Sequence, residues 1–181
     1  MDIKTIVNIT SRTWSLEILA MIHSGVPGRQ APLLSSIGAN RTAFTKSLVH
    51  LVNLGLLERN PGHGHPLRPE YRLTFEGAKV AKVASNIVDI VPSNEEFVLL
   101  RRTWTIPVLT VVQTPRRFTE IKSELFSITD RALSKSLDQL QELKWLQREI
   151  DLEVRPPRPS YQAVNAGFKI CQTINDSLRV S

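Results

Sequence analysis

Phe44-Thr45-Lys46-Ser47-Leu48-Val49-His50-Leu51-Val52-Asn53-Leu54-Gly55 decides the fold, because the chain writes it again as Leu133-Ser134-Lys135-Ser136-Leu137-Asp138-Gln139-Leu140-Gln141-Glu142-Leu143-Lys144. In both stretches the large apolar residues follow at steps of four, three and three: 44, 48, 51, 54 and 133, 137, 140, 143. That spacing lines one face of an α-helix for burial. The first run stops at Gly55, the residue type that closes a helix most easily.

Working outward, the correspondence holds along the chain. Arg12-Thr13-Trp14 returns as Arg102-Thr103-Trp104, Ile18-Leu19 as Val108-Leu109, and Leu57 as Leu146. Arg59 returns as Arg148, Arg68-Pro69-x-Tyr71 as Arg158-Pro159-x-Tyr161, and Gly77 as Gly167, always 89 or 90 residues later. A constant offset over that many ordered matches marks a tandem duplication. The expected domains are residues 1–91 and 92–181, with Val91-Pro92 at the boundary and Ser93-Asn94-Glu95-Glu96 as a capping box opening the second copy.

Each copy shares one predicted layout. A short amphipathic helix (about 2–9 and 94–101) leads to a helix beginning near Trp14 or Trp104, then a short helix (31–37 and 117–125), then the helix quoted above. Strand candidates follow at Leu56–Asn60 with Tyr71–Thr74, and at Trp145–Ile150 with Ser160–Val164. The intervening Pro61–Pro69 and Asp151–Pro159 are too rich in proline, glycine or polar residues for helix and read as hairpin loops. Closing helices are expected from Phe75 to Ile90 and from Asn165 to Leu178. The fold class is mainly α with small β-hairpin wings (α+β): two tandem winged helix-turn-helix domains forming a pseudo-dimer.

These residues resemble the HxlR-type family, a branch of the winged-helix regulators near MarR. The resemblance is carried by Arg117-Phe118-Thr119-Glu120-Ile121, Ile128-Thr129-Asp130-Arg131-Ala132-Leu133, Gly55-Leu56-Leu57-Glu58-Arg59 and Pro69-Glu70-Tyr71-Arg72-Leu73-Thr74-Phe75-Glu76-Gly77. It spans nearly all 181 residues. It implies a DNA-binding transcriptional regulator whose relatives usually carry one such domain and dimerise through terminal helices. Copy one departs in a longer segment, Gly25–Pro32, where the pattern has Arg-Phe; copy two reads Ala163-Val164 where it has Leu-Thr. The cysteine that redox-sensing relatives keep near the N-terminus is not present.

A recognition helix needs an apolar side toward its own domain and short polar or cationic groups toward the major groove. With Phe44, Leu48 and Leu51 inside, Asn40, Arg41, Thr42, Thr45, Lys46 and Val49 face outward. Arginine and lysine pair with guanine, asparagine with adenine, and threonine with phosphate or a thymine methyl. The matching set in copy two is Thr129, Asp130, Arg131, Ser134, Lys135 and Asp138, whose two acids predict weaker binding or a different base preference. Wings place basic side chains on phosphate or in the minor groove, which nominates Arg59, Arg68 and Arg72, then Arg148, Arg155 and Arg158.

The totals fit this reading. Net charge is +6 with a pI near 9.8, +4 in copy one and +2 in copy two, which favours a polyanionic partner. A single cysteine, Cys171, rules out an intrachain disulfide and fits a reducing cytoplasm, with nucleoid association expected. At the position of Ala81 in copy one, Cys171 reads as a small core residue. His63-Gly64-His65 is a hairpin tip, because no further ligand accompanies it at metal spacing. No phosphate loop, metal cluster or nucleophile triad is present, so neither an enzyme nor a cofactor is expected. Double-stranded DNA is the expected partner, with another protein through domain 2 as an additional possibility and no membrane. The chain would act as a monomeric pseudo-dimer or as a homodimer. A protein-interaction adaptor and a replication initiator share the tandem architecture and stand as alternatives.

Overall fold

The computed structural model describes residues 2–60, 69–91, 94–151 and 157–179. Contacts between Cα atoms divide the chain into Asn8–Asp89 and a second unit of Ile90–Ser181 with Met1–Val7. The division falls two residues ahead of the expected boundary and assigns the start of the chain to the later unit.

The earlier unit takes the last turn of a first helix, α1 (Ile3–Thr10), then α2 (Ser15–His23), α3 (Gln30–Ile37) and α4 (Arg41–Asn53). Strands β1 (Leu57–Asn60) and β2 (Glu70–Leu73) form an antiparallel hairpin, followed by α5 (Phe75–Ile90). Gly38, at φ +66°, ends α3 in the left-handed conformation and turns the chain into α4. The stripe read from the sequence is core: Phe44, Leu48 and Leu51 are at most 1% exposed, as deeply buried as Ile18 and Leu19 of α2 and Leu33 of α3. Each contributes about 1.5–3 kcal/mol by burial.

The later unit runs α6 (Asn94–Leu100), α7 (Thr105–Val111), β3 (Arg116–Arg117), α8 (Phe118–Leu125), α9 (Asp130–Glu142), β4 (Leu146–Asp151), β5 (Arg158–Ala163) and α10 (Asn165–Arg179). Leu133, Leu137 and Leu140 are buried as Phe44, Leu48 and Leu51 are. Here the sheet has three strands, ordered β3-β5-β4. The third strand was not anticipated, since two residues show no period. Its counterpart in the earlier unit shrinks to one bridge, Arg29 to Glu70. There Tyr71 donates its amide to the Gly28 carbonyl at 2.6 Å, and a Cβ on Gly28 would lie 1.8 Å from the Tyr71 oxygen. Only glycine permits that approach.

The duplicated glycines share a reason. A Cβ on Gly77 would meet the Leu56 carbonyl oxygen at 1.8 Å, and one on Gly167 the Trp145 oxygen at 2.2 Å. Those same carbonyls accept the amides of Thr74 (3.1 Å) and Val164 (2.9 Å), so each closing helix starts against the foot of its hairpin. The Thr74 hydroxyl donates to the Gly55 carbonyl (2.7 Å) and accepts from the Gly77 amide (3.0 Å). Where copy two has valine, Asn165 replaces that tie, donating from Nδ2 to the Lys144 carbonyl at 2.8 Å. Trp145 is buried at the foot of its hairpin and donates its indole N–H to Glu96 Oε1. Cys171 and Ala81 are both fully buried. Burial pushes the Cys171 thiol up to about 11, partly offset by a hydrogen bond from Asn175.

His63, His65, Arg68 and Arg155, expected in hairpin loops, and Ser93 of the expected capping box lie outside the described residues. No helix among the described residues is long and apolar enough to cross a membrane.

Candidate nucleic-acid interface

α4 begins at Asn40, whose side-chain oxygen accepts from the amides of Thr42 (2.9 Å) and Ala43 (3.4 Å). Thr129 does the same for α9, accepting from Ala132 at 3.2 Å. Both residues were expected on the DNA-facing side, Asn40 to pair with adenine; each also caps its helix. Paired hydrogen bonding of Asn40 to adenine needs the amide oxygen that the cap already uses. The asparagine or threonine just before a helix was the signal for this, and it is readable in sequence.

Beyond the cap, burying the apolar stripe turns the other side of α4 outward. Arg41, Thr42 and Lys46 are exposed, Thr45 is half-buried, and Val49 is 50% exposed. The Thr45 hydroxyl donates to the Arg41 carbonyl at 2.8 Å, which leaves its oxygen able to accept. These side chains line an open concavity of ≈ 680 Å³. Arg12, from the turn before α2, and His50 and Asn53, further along α4, complete the lining. His50 Nε2 lies 2.8 Å from the Asn8 carbonyl and 3.3 Å from the Ser11 hydroxyl. That contact ties α4 to the segment that carries Arg12. The lining holds three cationic side chains, Arg12, Arg41 and Lys46, and no acid. Sequence reasoning missed Arg12, which lies twenty-nine residues before Arg41; its recurrence as Arg102 was the available hint.

The wing arginines do not gather on one surface. Arg59 stands opposite Tyr71 in the hairpin register and Arg72 opposite Glu58. Opposed residues share a face and neighbours alternate, so Arg59 and Arg72 point to opposite sides. Arg72 lies 3.6 Å from Glu70 in an exposed pair of little energetic consequence. The arrangement repeats, with Arg148 opposite Tyr161 and Arg158 opposite Asp151.

On α9, Arg131, Ser134 and Lys135 are exposed, as are Asp130 and Asp138. Asp130 Oδ1 sits 2.6 Å from Lys122 Nζ of α8. Among the described residues there is no group of three potential metal ligands.

Two helix-turn-helix units, each with a hairpin and a closing helix, are matched by one family model twice over. The model for the HxlR-like helix-turn-helix matches residues 9–96 and again 99–178. The chain belongs to the HxlR-like helix-turn-helix family. It carries two HxlR-like domains in tandem, in a family of transcriptional regulators. Among solved structures, the MarR-family transcriptional regulator of Porphyromonas gingivalis W83 is similar, at 17% identity and a TM-score of 0.42. The match covers 49% of this HxlR-like chain and 92% of that one. No curated protein matches the chain.

Proposed function

We propose that this protein regulates transcription by binding double-stranded DNA sequence-specifically in the cytoplasm. Its α4 serves as a recognition helix in the major groove, and α9 as a second. The observation that carries this reading is the acid-free concavity on α4, where Arg12, Arg41 and Lys46 surround Thr42, Thr45 and Val49. Such a surface offers charge to phosphates, guanidinium and ammonium groups to guanine, and an apolar contact to a thymine methyl. Domains at 1–91 and 92–181 in one chain would stand where relatives use two chains. An imperfect palindrome with half-sites about one helical turn apart is then the expected site. Arg59 or Arg72, and Arg148 or Arg158, would reach phosphate or minor groove, one per hairpin, since the two in each lie on opposite faces.

Titration of the intact protein against genomic duplex fragments at roughly 50 and 200 mM salt tests the reading. Binding that weakens steeply with salt and favours particular fragments is expected. Binding to no fragment at either salt concentration would refute it.

A further inference from the structure

The duplication supplies an internal comparison of the two recognition helices. Position by position, Arg41 of α4 is replaced by Asp130 on α9, Val49 by Asp138 and Asn53 by Glu142. All three acids are exposed. Cations at the remaining positions of the face are Arg102, Arg131 and Lys135, also exposed. The α4 face therefore carries three positive charges and no negative ones, while the same positions around α9 carry three of each. Asp130 occupies the N-terminal turn of α9, where α4 presents Arg41, and it neutralises Lys122 of the preceding helix at 2.6 Å.

We infer that the two recognition helices divide DNA binding unequally: α4 anchors the duplex, and the charge-neutral α9 face contributes almost no phosphate attraction. The inference rests on the DNA-binding reading above and says how its energy is distributed. Affinity for duplex DNA grows with the number of phosphates neutralised, each steepening the salt dependence by about 0.9 in log–log slope. A face whose cations are matched by acids neutralises none on balance, because each acid repels the strand its neighbour attracts. Such a helix reads bases only after its partner is seated. The site is then strong on one side and permissive on the other, and half-sites need not match.

The experiment uses the full chain and mixed-sequence duplex DNA at several salt concentrations, with three variants of exposed residues checked for unchanged thermal midpoints. Arg41→Ala with Lys46→Ala should weaken binding roughly ten- to hundredfold and flatten the salt slope by about 1.8. Arg131→Ala with Lys135→Ala should change affinity by less than about threefold, since a face that neutralises no phosphate has no such contact to lose. Asp130→Asn, Asp138→Asn and Glu142→Gln together should tighten binding roughly tenfold and steepen the slope, because Arg102, Arg131 and Lys135, and Lys122 released from Asp130, are then uncompensated. Equal losses from the α4 and α9 double variants, or no gain from the neutralising triple, overturn the inference. Absence of binding by the unaltered protein instead overturns the DNA-binding reading itself.

Discussion

Gly77→Ala puts the reason for the duplicated glycine to a direct test. A methyl at this position would sit 1.8 Å from the Leu56 carbonyl oxygen and 2.8 Å from its carbon, where real Cβ atoms approach no closer than 3.0 Å. The obstacle is backbone, so it cannot rotate away. The start of α5 must move more than an ångström from the hairpin, and the Thr74 amide bond to Leu56 at 3.1 Å goes with it. Overpacking of that kind costs about 1–3 kcal/mol and a lost hydrogen bond about 1. Against this, alanine gains about 1 kcal/mol over glycine inside a helix. The net is a loss of about 2 kcal/mol, or roughly 4–8 °C in Tm for a chain of this length. Thermal unfolding followed by circular dichroism reads it, and Gly167→Ala, whose clash is milder at 2.2 Å, should cost less. Should Gly77→Ala leave the midpoint unchanged or raise it, the close approach of helix and hairpin is not the reason for the glycine.

Lys144 holds φ +56° at the end of α9, where Gly55 holds +70° at the end of α4. Relief of left-handed strain exceeds the backbone entropy glycine adds, so Lys144→Gly should stabilise by about 0.5–1 kcal/mol. Urea denaturation measures this, and a lower midpoint counts against it. For Cys171 the folded thiol is raised from 9.0 to about 11 by burial, so its protonated form is favoured by folding. This contribution is complete below pH 9 and is lost as pH rises through 11. Cys171→Ala, which installs the residue found at Ala81, should therefore be less sensitive to alkaline pH than the parent. A thiol reagent should leave Cys171 unmodified in the folded protein at pH 8; fast labelling without unfolding would contradict that burial.

Much of the fold was legible because its signals are local or repeated. The four-three-three spacing in α4 and α9 describes one helical face whatever packs on it, and the constant offset announced two copies of one unit. The interface was legible only in part. Arg41, Thr42 and Lys46 could be placed outward by subtracting the buried stripe, a calculation within one helix. Arg12 could not, since only the packing of α2 and α4 brings it to them. Asn40 stands just before the helix, a capping signal that the sequence carries, but its outward-facing polarity reads as base contact instead. Arg59 and Arg72 looked equivalent until the strand register assigned them to opposite faces, and register is a relation between strands that neither carries alone.

By itself, the sequence determined the repeated helix-turn-helix plan, the buried leucines and the unequal charge of the two helix faces, because periodicity and composition reside in contiguous residues. Tertiary structure alone decided which cations share a concavity, why Gly77 and Gly167 tolerate no side chain, and that one copy has a third strand. Those features are distances between segments remote along the chain, and such distances exist only once the core has closed.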